Sequence, residues 1–374
     1  MPIEREPRVS GVVTPRDILG VPALPPAGAT AITNRFRARL AGLHRAIAPP
    51  PVQILDAVFG MLDHAAIVVL CELGVPELLQ HPMSVEALAR AAHVDPERCE
   101  RLLRYCATRG WVRFDRRGRV RPTRVTKFLR SDHPGGWRAW VTFAGGSDVV
   151  GALGQLGAGV RDGVDPFATA NGLSFFEWMS SHPDRSSAFD AAMEAGARMH
   201  GLVVAAALDW SSSRAVCDVG GGTGAFLAVL LEEEPHLSGT VLDLADVVAR
   251  ARPHDRIEFV AGDAFAAVPA GFDTYVFVNV LHDWGDDDAV RLLTRAREAA
   301  DPGARVVVVD ADRPRRPLDD VSVQTDLLML ALTPGGRERS ADDFAAIGIR
   351  AGLRLEHSVP LASGDRANVF VPAG

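Results

Sequence analysis

After Arg214 the chain repeats one pattern. Ala215–Val219, Thr240–Leu242, Ile257–Val260, Thr274–Val280 and Val306–Val309 are short β-rich runs separated by helix-sized intervals. Parallel strands need long crossover connections, so strands that alternate with helices predict a doubly wound, mostly parallel α/β sheet of the nucleotide-binding type. A strand pair around Arg354–Val359 and Asn368–Val371 is expected to complete it. Such sheets bind their ligands outside the carboxyl ends of the strands, so the residues that follow each run are the first to consider.

The chain has 374 residues, enough for two or three domains. Hydrophobic residues at 47% and charged residues at 23% are ordinary for a globular protein, which sets aside disordered and collagen-like classes. A net charge of -7 is too mild to mark a protein that coats nucleic acid. Lys127 is the single lysine, and it lies in neither a Gly-Lys-Ser/Thr loop nor a kinase strand, so NTPase and kinase chemistries fall away. Cys71, Cys99, Cys106 and Cys217 lack C-x-x-C spacing and sit in apolar runs, which argues against zinc and against a disulfide framework. A reducing, cytoplasmic location is expected. Residues 1–36 lack an apolar core, and the apolar stretch Ala57–Val75 is interrupted by Asp63, His64 and Glu72, so neither export nor a membrane span is expected.

Residues 1–35 read as an irregular arm, because Pro2, Pro7, Pro15, Pro22, Pro25 and Pro26 recur too often for a helix. In residues 36–135, Ile54, Leu55, Val58, Leu62, Ala65, Val69, Leu70 and Leu73 recur at three- and four-residue steps. That spacing predicts an amphipathic helix over Val52–Leu79, broken at Gly74. Ser84 starts a second helix, Asp95-Pro96 caps a third that Gly110 closes, and Trp111–Phe114 with Val120–Pro122 reads as a hairpin. Three helices and a hairpin form a winged-helix pattern, a shape often used on DNA. Between Arg90 and Arg130 stand 13 basic and four acidic residues, a local balance of +9. A solvated basic face on an otherwise acidic subunit is the preferred reading, with nucleic acid not expected as a partner. Residues 136–210 read as a helical linker rich in Phe, Trp and Met, and residues 211–374 as the ligand-binding domain.

Asp218-Val-Gly-Gly-Gly-Thr-Gly224 lies where the first strand turns into a helix starting at Ala225. Its glycines let the backbone turn tightly and let a ligand approach the main chain. Gly220-x-Gly222-x-x-Ala225 also satisfies the dinucleotide fingerprint, and Asp243 at the end of the second strand could hold a ribose in either case. The acids separate the two readings. Asp218, Asp243 and Asp263 fall near strand ends and would repel a pyrophosphate, whereas S-adenosylmethionine brings a cationic sulfonium and ammonium.

Together with Leu242-Asp-Leu244, Gly262-Asp-Ala-Phe265, Asn279-Val-Leu-His-Asp-Trp284 and Pro334-Gly-Gly-Arg-Glu-Arg-Ser340, the loop resembles the successive motifs of small-molecule O-methyltransferases of plant and actinobacterial natural-product pathways. The likeness runs from about Val52 to the C-terminus. It implies a Rossmann-like catalytic domain of the class I methyltransferase type, an N-terminal winged-helix-like dimerisation domain, and a homodimer that uses S-adenosylmethionine. By the same resemblance Asp218, Gly220 and Gly222 belong to the cofactor loop, Gly220 lies at the methionine moiety, Asp243 on the ribose hydroxyls, and Asp263 with Phe265 at the adenine. Val278 stands where many plant members carry a lysine. Phe189, Met193 and Asp283 match positions that line the acceptor pocket, to which residues 136–210 then contribute.

Methyl transfer from a sulfonium is an in-line displacement, and an aromatic hydroxyl is a poor nucleophile until its proton leaves. His282 follows the fourth strand, and an imidazole titrating near 6.5 suits that proton. The simpler alternative is a histidine that caps the helix beginning at Asp286. The resemblance implies that Asp310 and Glu338 flank His282, with Asp312 the alternative to Asp310. Asp286, Asp287 and Asp288 open a helix and complement its dipole, so no metal is assigned. A small aromatic acceptor is the expected substrate. Two other functions stay open: a same-fold enzyme that does not methylate, and a DNA-binding regulator.

Overall fold

The computed structural model describes residues 14–317 and 319–373. It corrects the irregular arm: residues 1–13 lie outside the described residues, but Pro15–Leu19 and Ala27–Ala46 are helices. The prolines start these helices instead of breaking them. Pro15 follows the N-cap Thr14, and Pro26 is itself the N-cap of the second helix, positions where a missing N–H forfeits no helical bond.

The stripe over Val52–Leu79 breaks at Gly74 as expected and also at Gly60, giving helices Pro50–Phe59, Met61–Glu72 and Val75–Leu78. Ser84 and Asp95 cap Val85–Ala91 and Pro96–Thr108 by accepting from Ala87 N and Arg98 N. β1 (Val112–Phe114) pairs antiparallel with β2 (Val120–Pro122) to form the wing. Leu70, Leu88, Leu103, Cys106, Val112 and Val120 share one core beneath these elements. Helices Ala27–Ala46 and Pro50–Phe59 bury nothing, and Ile32, Phe36, Ile54, Leu55, Val58 and Phe59 stand exposed. By length and composition the 23 residues Pro50–Glu72 are apolar enough to cross a bilayer, despite the polar interruptions that argued against a span.

Between Arg138 and Ala207 six helices follow, ending in the 25-residue helix Pro183–Ala207. Their buried aromatics pack with Leu332 from the C-terminal half.

The sheet follows the alternation read after Arg214. It comprises β3 (Ala215–Val219), β4 (Ser238–Asp243), β5 (Ile257–Ala261), β6 (Thr274–Val278), β7 (Arg305–Ala311), β8 (Leu353–Pro360) and β9 (Asp365–Pro372). The order across it is β5-β4-β3-β6-β7-β9-β8, parallel through β7 and antiparallel for the last two strands. Apolar clusters cover both faces, which explains the near-continuous hydrophobic runs of β6 and β7. β3 has β4 on one side and β6 on the other, so the residues after these three strands converge on one crevice.

Candidate active site

One cavity of about 920 Å3 opens over the carboxyl ends of the strands. Asp218, Gly220, Gly222, Asp243, Asp263, Phe265, His282, Asp283, Glu338, Phe189 and Met193 all line it. Asp310 lies beneath, at the end of β7, 3.8 Å from the His282 ring. Every residue expected to serve the base, the cofactor or the acceptor is therefore in the cavity or directly under its wall, with Asp312, the alternative to Asp310, outside it.

The Gly loop leaves β3 with Gly220 N donating to Leu242 O at 2.8 Å. Gly222 holds φ at +60°, and a Cβ placed there meets nothing within 4 Å, so the loop leaves open space over its backbone. Its N–H donates to Asp243 Oδ2 at 2.7 Å, while Leu244 N donates to Oδ1 at 2.7 Å. Burial raises the Asp243 pKa against the pull of these two bonds. Asp218 is buried with neither carboxylate oxygen partnered, and burial followed by the Asp243 charge pushes its pKa up to about 8. A buried carboxylate without a partner facing a ligand crevice calls for a cation. The ammonium and sulfonium of S-adenosylmethionine would favour its ionised form and pair with it, whereas a pyrophosphate would drive its pKa higher still, so the site's electrostatics favour the cationic ligand over a dinucleotide.

Further along, Asp263 Oδ1 accepts from Phe265 N at 2.8 Å. The Phe265 ring meets Trp284 edge-on at 4.8 Å and lies under the Arg291 guanidinium. Trp284 in turn stacks on Phe176 at 5.4 Å. Phe176, Phe175, Phe189 and Phe143 continue as a set of edge-to-face contacts, so an unbroken aromatic wall runs from the loop after β5 to the long helix.

His282 sits in a short 3-10 turn, Leu281–Asp283, directly after β6. The following helix, Asp286–Ala299, has Gly285 as N-cap and no side-chain cap, so the capping alternative for His282 fails. Its Nδ1 lies 3.2 Å from Glu338 Oε1 and 3.8 Å from Asp310 Oδ1, and its Nε2 lies 3.7 Å from Asp283 Oδ1. Burial opposes the imidazolium, but Asp283, Glu338 and Asp310 together outweigh it and push the pKa up to about 10. This corrects the ordinary value near 6.5 expected for a free imidazole. Burial also holds Asp310 well above the carboxylate range and Asp283 at about 6, so the cluster shares protons. Asp312 is no substitute for Asp310: its carboxylate pairs with Arg366 at 3.0 Å. Asp286, Asp287 and Asp288 each meet an arginine, Arg339, Arg350 and Arg291 respectively.

Residues overlooked in the sequence include Glu194, which accepts from Thr223 Oγ1 at 2.7 Å, and Asp190, which pairs with Arg250 at 2.7 Å. Both follow from the helical spacing of Phe189, Asp190, Met193 and Glu194 on the face that looks into the cavity.

Comparison with known proteins adds an independent line. A model described as the O-methyltransferase domain matches residues 153–354, and one described as the O-methyltransferase dimerisation domain matches residues 55–132. Mitomycin biosynthesis 6-O-methyltransferase of Streptomyces lavendulae is 36% identical over 333 residues, covering 83% of this chain and 90% of that protein. Aclacinomycin 10-hydroxylase RdmB of Streptomyces purpurascens is 34% identical over 293 residues, 75% of this chain and 78% of that one. The structure of the O-methyltransferase NcsB1 from neocarzinostatin biosynthesis, in complex with S-adenosylmethionine and 2-hydroxy-5-methyl naphthoic acid, superimposes with a TM-score of 0.71 at 31% identity over 83% of this chain and 96% of that one.

Proposed function

The chain belongs to the S-adenosylmethionine-dependent O-methyltransferase family, and from that premise we propose that it methylates a hydroxyl of an aromatic natural product with His282 as general base. The observation that carries the reading is the placement of one imidazole, backed by Glu338 and Asp310, in the same cavity as the Gly loop and the aromatic wall. The naphthoic acid bound in the NcsB1 structure supports the acceptor class.

When bound, the cofactor supplies an electrophilic methyl group on its sulfonium. Asp218, Gly220 and Gly222 would hold its amino-acid end, Asp243 the ribose, and Asp263 with Phe265 the adenine. Phe189, Met193 and Phe176 offer flat apolar surface for a ring, and Asp283 adds a polar edge. In the neutral state His282 Nε2 takes the hydroxyl proton, and Glu338 and Asp310 stabilise the imidazolium that forms. The raised pKa matters here. Without ligands its carboxylate neighbours favour the imidazolium, so Nε2 would serve as acceptor once the positive charge of a bound cofactor offset them and the ring proton had passed to solvent.

We also infer a homodimer built on residues 36–135, with residues 136–210 lining the acceptor pocket, residues 211–374 binding the cofactor, and a cytoplasmic location. The exposed apolar residues of Ala27–Ala46 and Pro50–Phe59 support the dimer, and the span of the dimerisation model lies inside residues 36–135.

The test is incubation with S-adenosylmethionine and a panel of phenolic polyketides and flavonoids, followed by mass spectrometry. Product heavier by one methylene, formed with equimolar S-adenosylhomocysteine, is the expected result. The hydroxylase relative marks the competing outcome: a product without S-adenosylhomocysteine would overturn the methylating role.

A further inference from the structure

Arg339 is 1% exposed, and no step above uses it. A buried guanidinium is tolerated only where its donors are met, and here they are met almost entirely on one short segment. Nη1 donates to Leu281 O at 2.7 Å and Nη2 to Trp284 O at 2.7 Å. Nε and Nη2 donate to Asp286 Oδ1 at 3.0 and 2.8 Å. The gripped segment is the 3-10 turn that carries His282 and Asp283.

Two neighbours extend the grip. Arg337 N donates to His282 O at 2.8 Å. A Cβ on Gly336 would stand 2.8 Å from His282 O, 3.0 Å from Asp283 O and 1.9 Å from Thr333 Oγ1, so the two segments approach this closely only because residue 336 is glycine. At its own backbone Arg339 is anchored to the chain beyond β7: it bridges Asp312, and its carbonyl accepts from Arg313 N at 3.2 Å. The clamp therefore joins the turn after β6 to the strand that carries Asp310.

We propose that Arg339 is a positioning residue for methyl transfer: by holding the carbonyls of Leu281 and Trp284 it keeps His282 Nδ1 against Asp310 and Glu338. The proposal rests on the reading of His282 as the base. Arginine is the residue that can do this, because its planar fork reaches two carbonyls and a carboxylate at once, whereas a lysine ammonium is a single point. Glu338 precedes Arg339 in the chain, so the same segment sets both the imidazole's partner and the imidazole's seat.

The groups that face His282 fix what its release does. Asp283 belongs to its own turn, Asp310 to β7 and Glu338 to the clamp segment. Asp365 at the start of β9 lies farther out, paired with His200 of the long helix at 2.9 Å, and Asp326 of the helix Val321–Leu332 accepts from Glu338 N at 2.9 Å. Asp283, Glu338 and Asp310 favour the imidazolium and the Arg339 guanidinium, which also acts on Asp310, opposes it, so a turn that drifts away from the carboxylates with Arg339 still charged loses that support and its imidazole titrates lower.

The experiment uses the full-length protein with Arg339→Met, Arg339→Lys and Gly336→Ala, and with His282→Ala as reference. The His282 ring is titrated by NMR on isotope-labelled histidine without substrates, and kcat, KM, cofactor affinity and thermal melting are measured alongside. Arg339→Met and Gly336→Ala are expected to lower kcat by about 10- to 100-fold with KM and cofactor affinity within about threefold, since a displaced base costs turnover more than binding. In Gly336→Ala and Arg339→Lys, which keep the positive charge, the His282 midpoint is expected to fall by about one unit or more and by less, respectively; in Arg339→Met the lost cation offsets part of that fall, and Arg339→Lys is expected to recover part of the kcat. Should Arg339→Met fail to fold, Gly336→Ala and Arg339→Lys carry the test. A loss of kcat with the His282 midpoint unmoved, or an unchanged kcat, would overturn the proposal. Full turnover by His282→Ala would instead overturn the base reading, while the ring midpoint in the Arg339 and Gly336 variants still decides the positioning.

Discussion

At the scale of single residues, two buried charged groups carry the testable content. General-base assistance is commonly worth about 10²–10⁴-fold, so His282→Ala is expected to lower turnover by that order and to leave cofactor affinity nearly unchanged in calorimetry. Glu338→Gln and Asp310→Asn should cost less, because each supports the imidazole without taking the proton. The deficit should shrink for phenols acidic enough to ionise unaided at the assay pH, and steady-state rates across a pKa series of acceptors check this. Asp218 makes a different prediction. Its pKa is raised from the ordinary 3.8 to about 8 by burial and by Asp243, so folding favours its protonated form. The stability it contributes is present at acid pH and is lost as pH rises from about 4 through about 8. Asp218→Asn keeps the shape without the charge. The ligand-free variant should melt higher than wild type at pH 8, by a margin that vanishes near pH 4, while binding S-adenosylmethionine more weakly. A melting difference that is constant across that range would remove the buried charge as its cause.

At the scale of elements, the loop after β3 and the end of β4 act as one unit. Asp243 accepts from Gly222 N and Leu244 N, so the residue assigned to the ribose also ties the Gly loop to the neighbouring strand. Asp243→Ala removes both roles. With charge-assisted hydrogen bonds worth about 1.5–3 kcal/mol, its affinity for S-adenosylmethionine should fall by roughly ten- to a hundredfold or more, and unchanged affinity in calorimetry would sink the assignment. The loop itself was legible in the sequence, because glycines after a β-rich run have few other uses. The tie was not, since nothing in Leu242-Asp-Leu244 says which backbone N–H its carboxylate meets. The N-terminal prolines show the opposite failure. Counted along the chain they argue against helix, yet Pro15 and Pro26 sit at helix starts, and position within an element matters more than frequency.

At the scale of the whole molecule, the exposed apolar faces of Ala27–Ala46 and Pro50–Phe59 are the feature a single chain leaves unresolved. If a second copy covers them, Val58→Glu with Leu55→Glu should convert a dimer at micromolar concentration into monomer in sedimentation, because obligate interfaces bury apolar surface that tolerates no charge. The basic segment makes a separate demand. Arg109 and Arg130 pair with Asp63 and Asp132, acids outside the counted segment, so part of the +9 balance is neutralised within the subunit. Duplex DNA binding is expected to be weak and to fall steeply with salt; saturable, sequence-preferring binding at physiological salt would contradict that.

The sequence by itself determined the catalytic sheet and most of the residues that gather at its edge. Alternation of β-rich runs with helical intervals dictates a parallel sheet, and its connectivity brings Asp218, Asp243, Asp263 and His282 to one edge whatever the details of packing. Only the tertiary structure decided what those residues are chemically. Asp218 and Asp310 lack hydrogen-bond partners because of what surrounds them, His282 is driven toward its charged form because Glu338 and Asp310 from distant segments join its neighbour Asp283 around it, and Asp312, two residues from Asp310, is diverted to Arg366. Protonation depends on burial and on charges brought together from positions far apart in the chain, quantities that no local pattern carries.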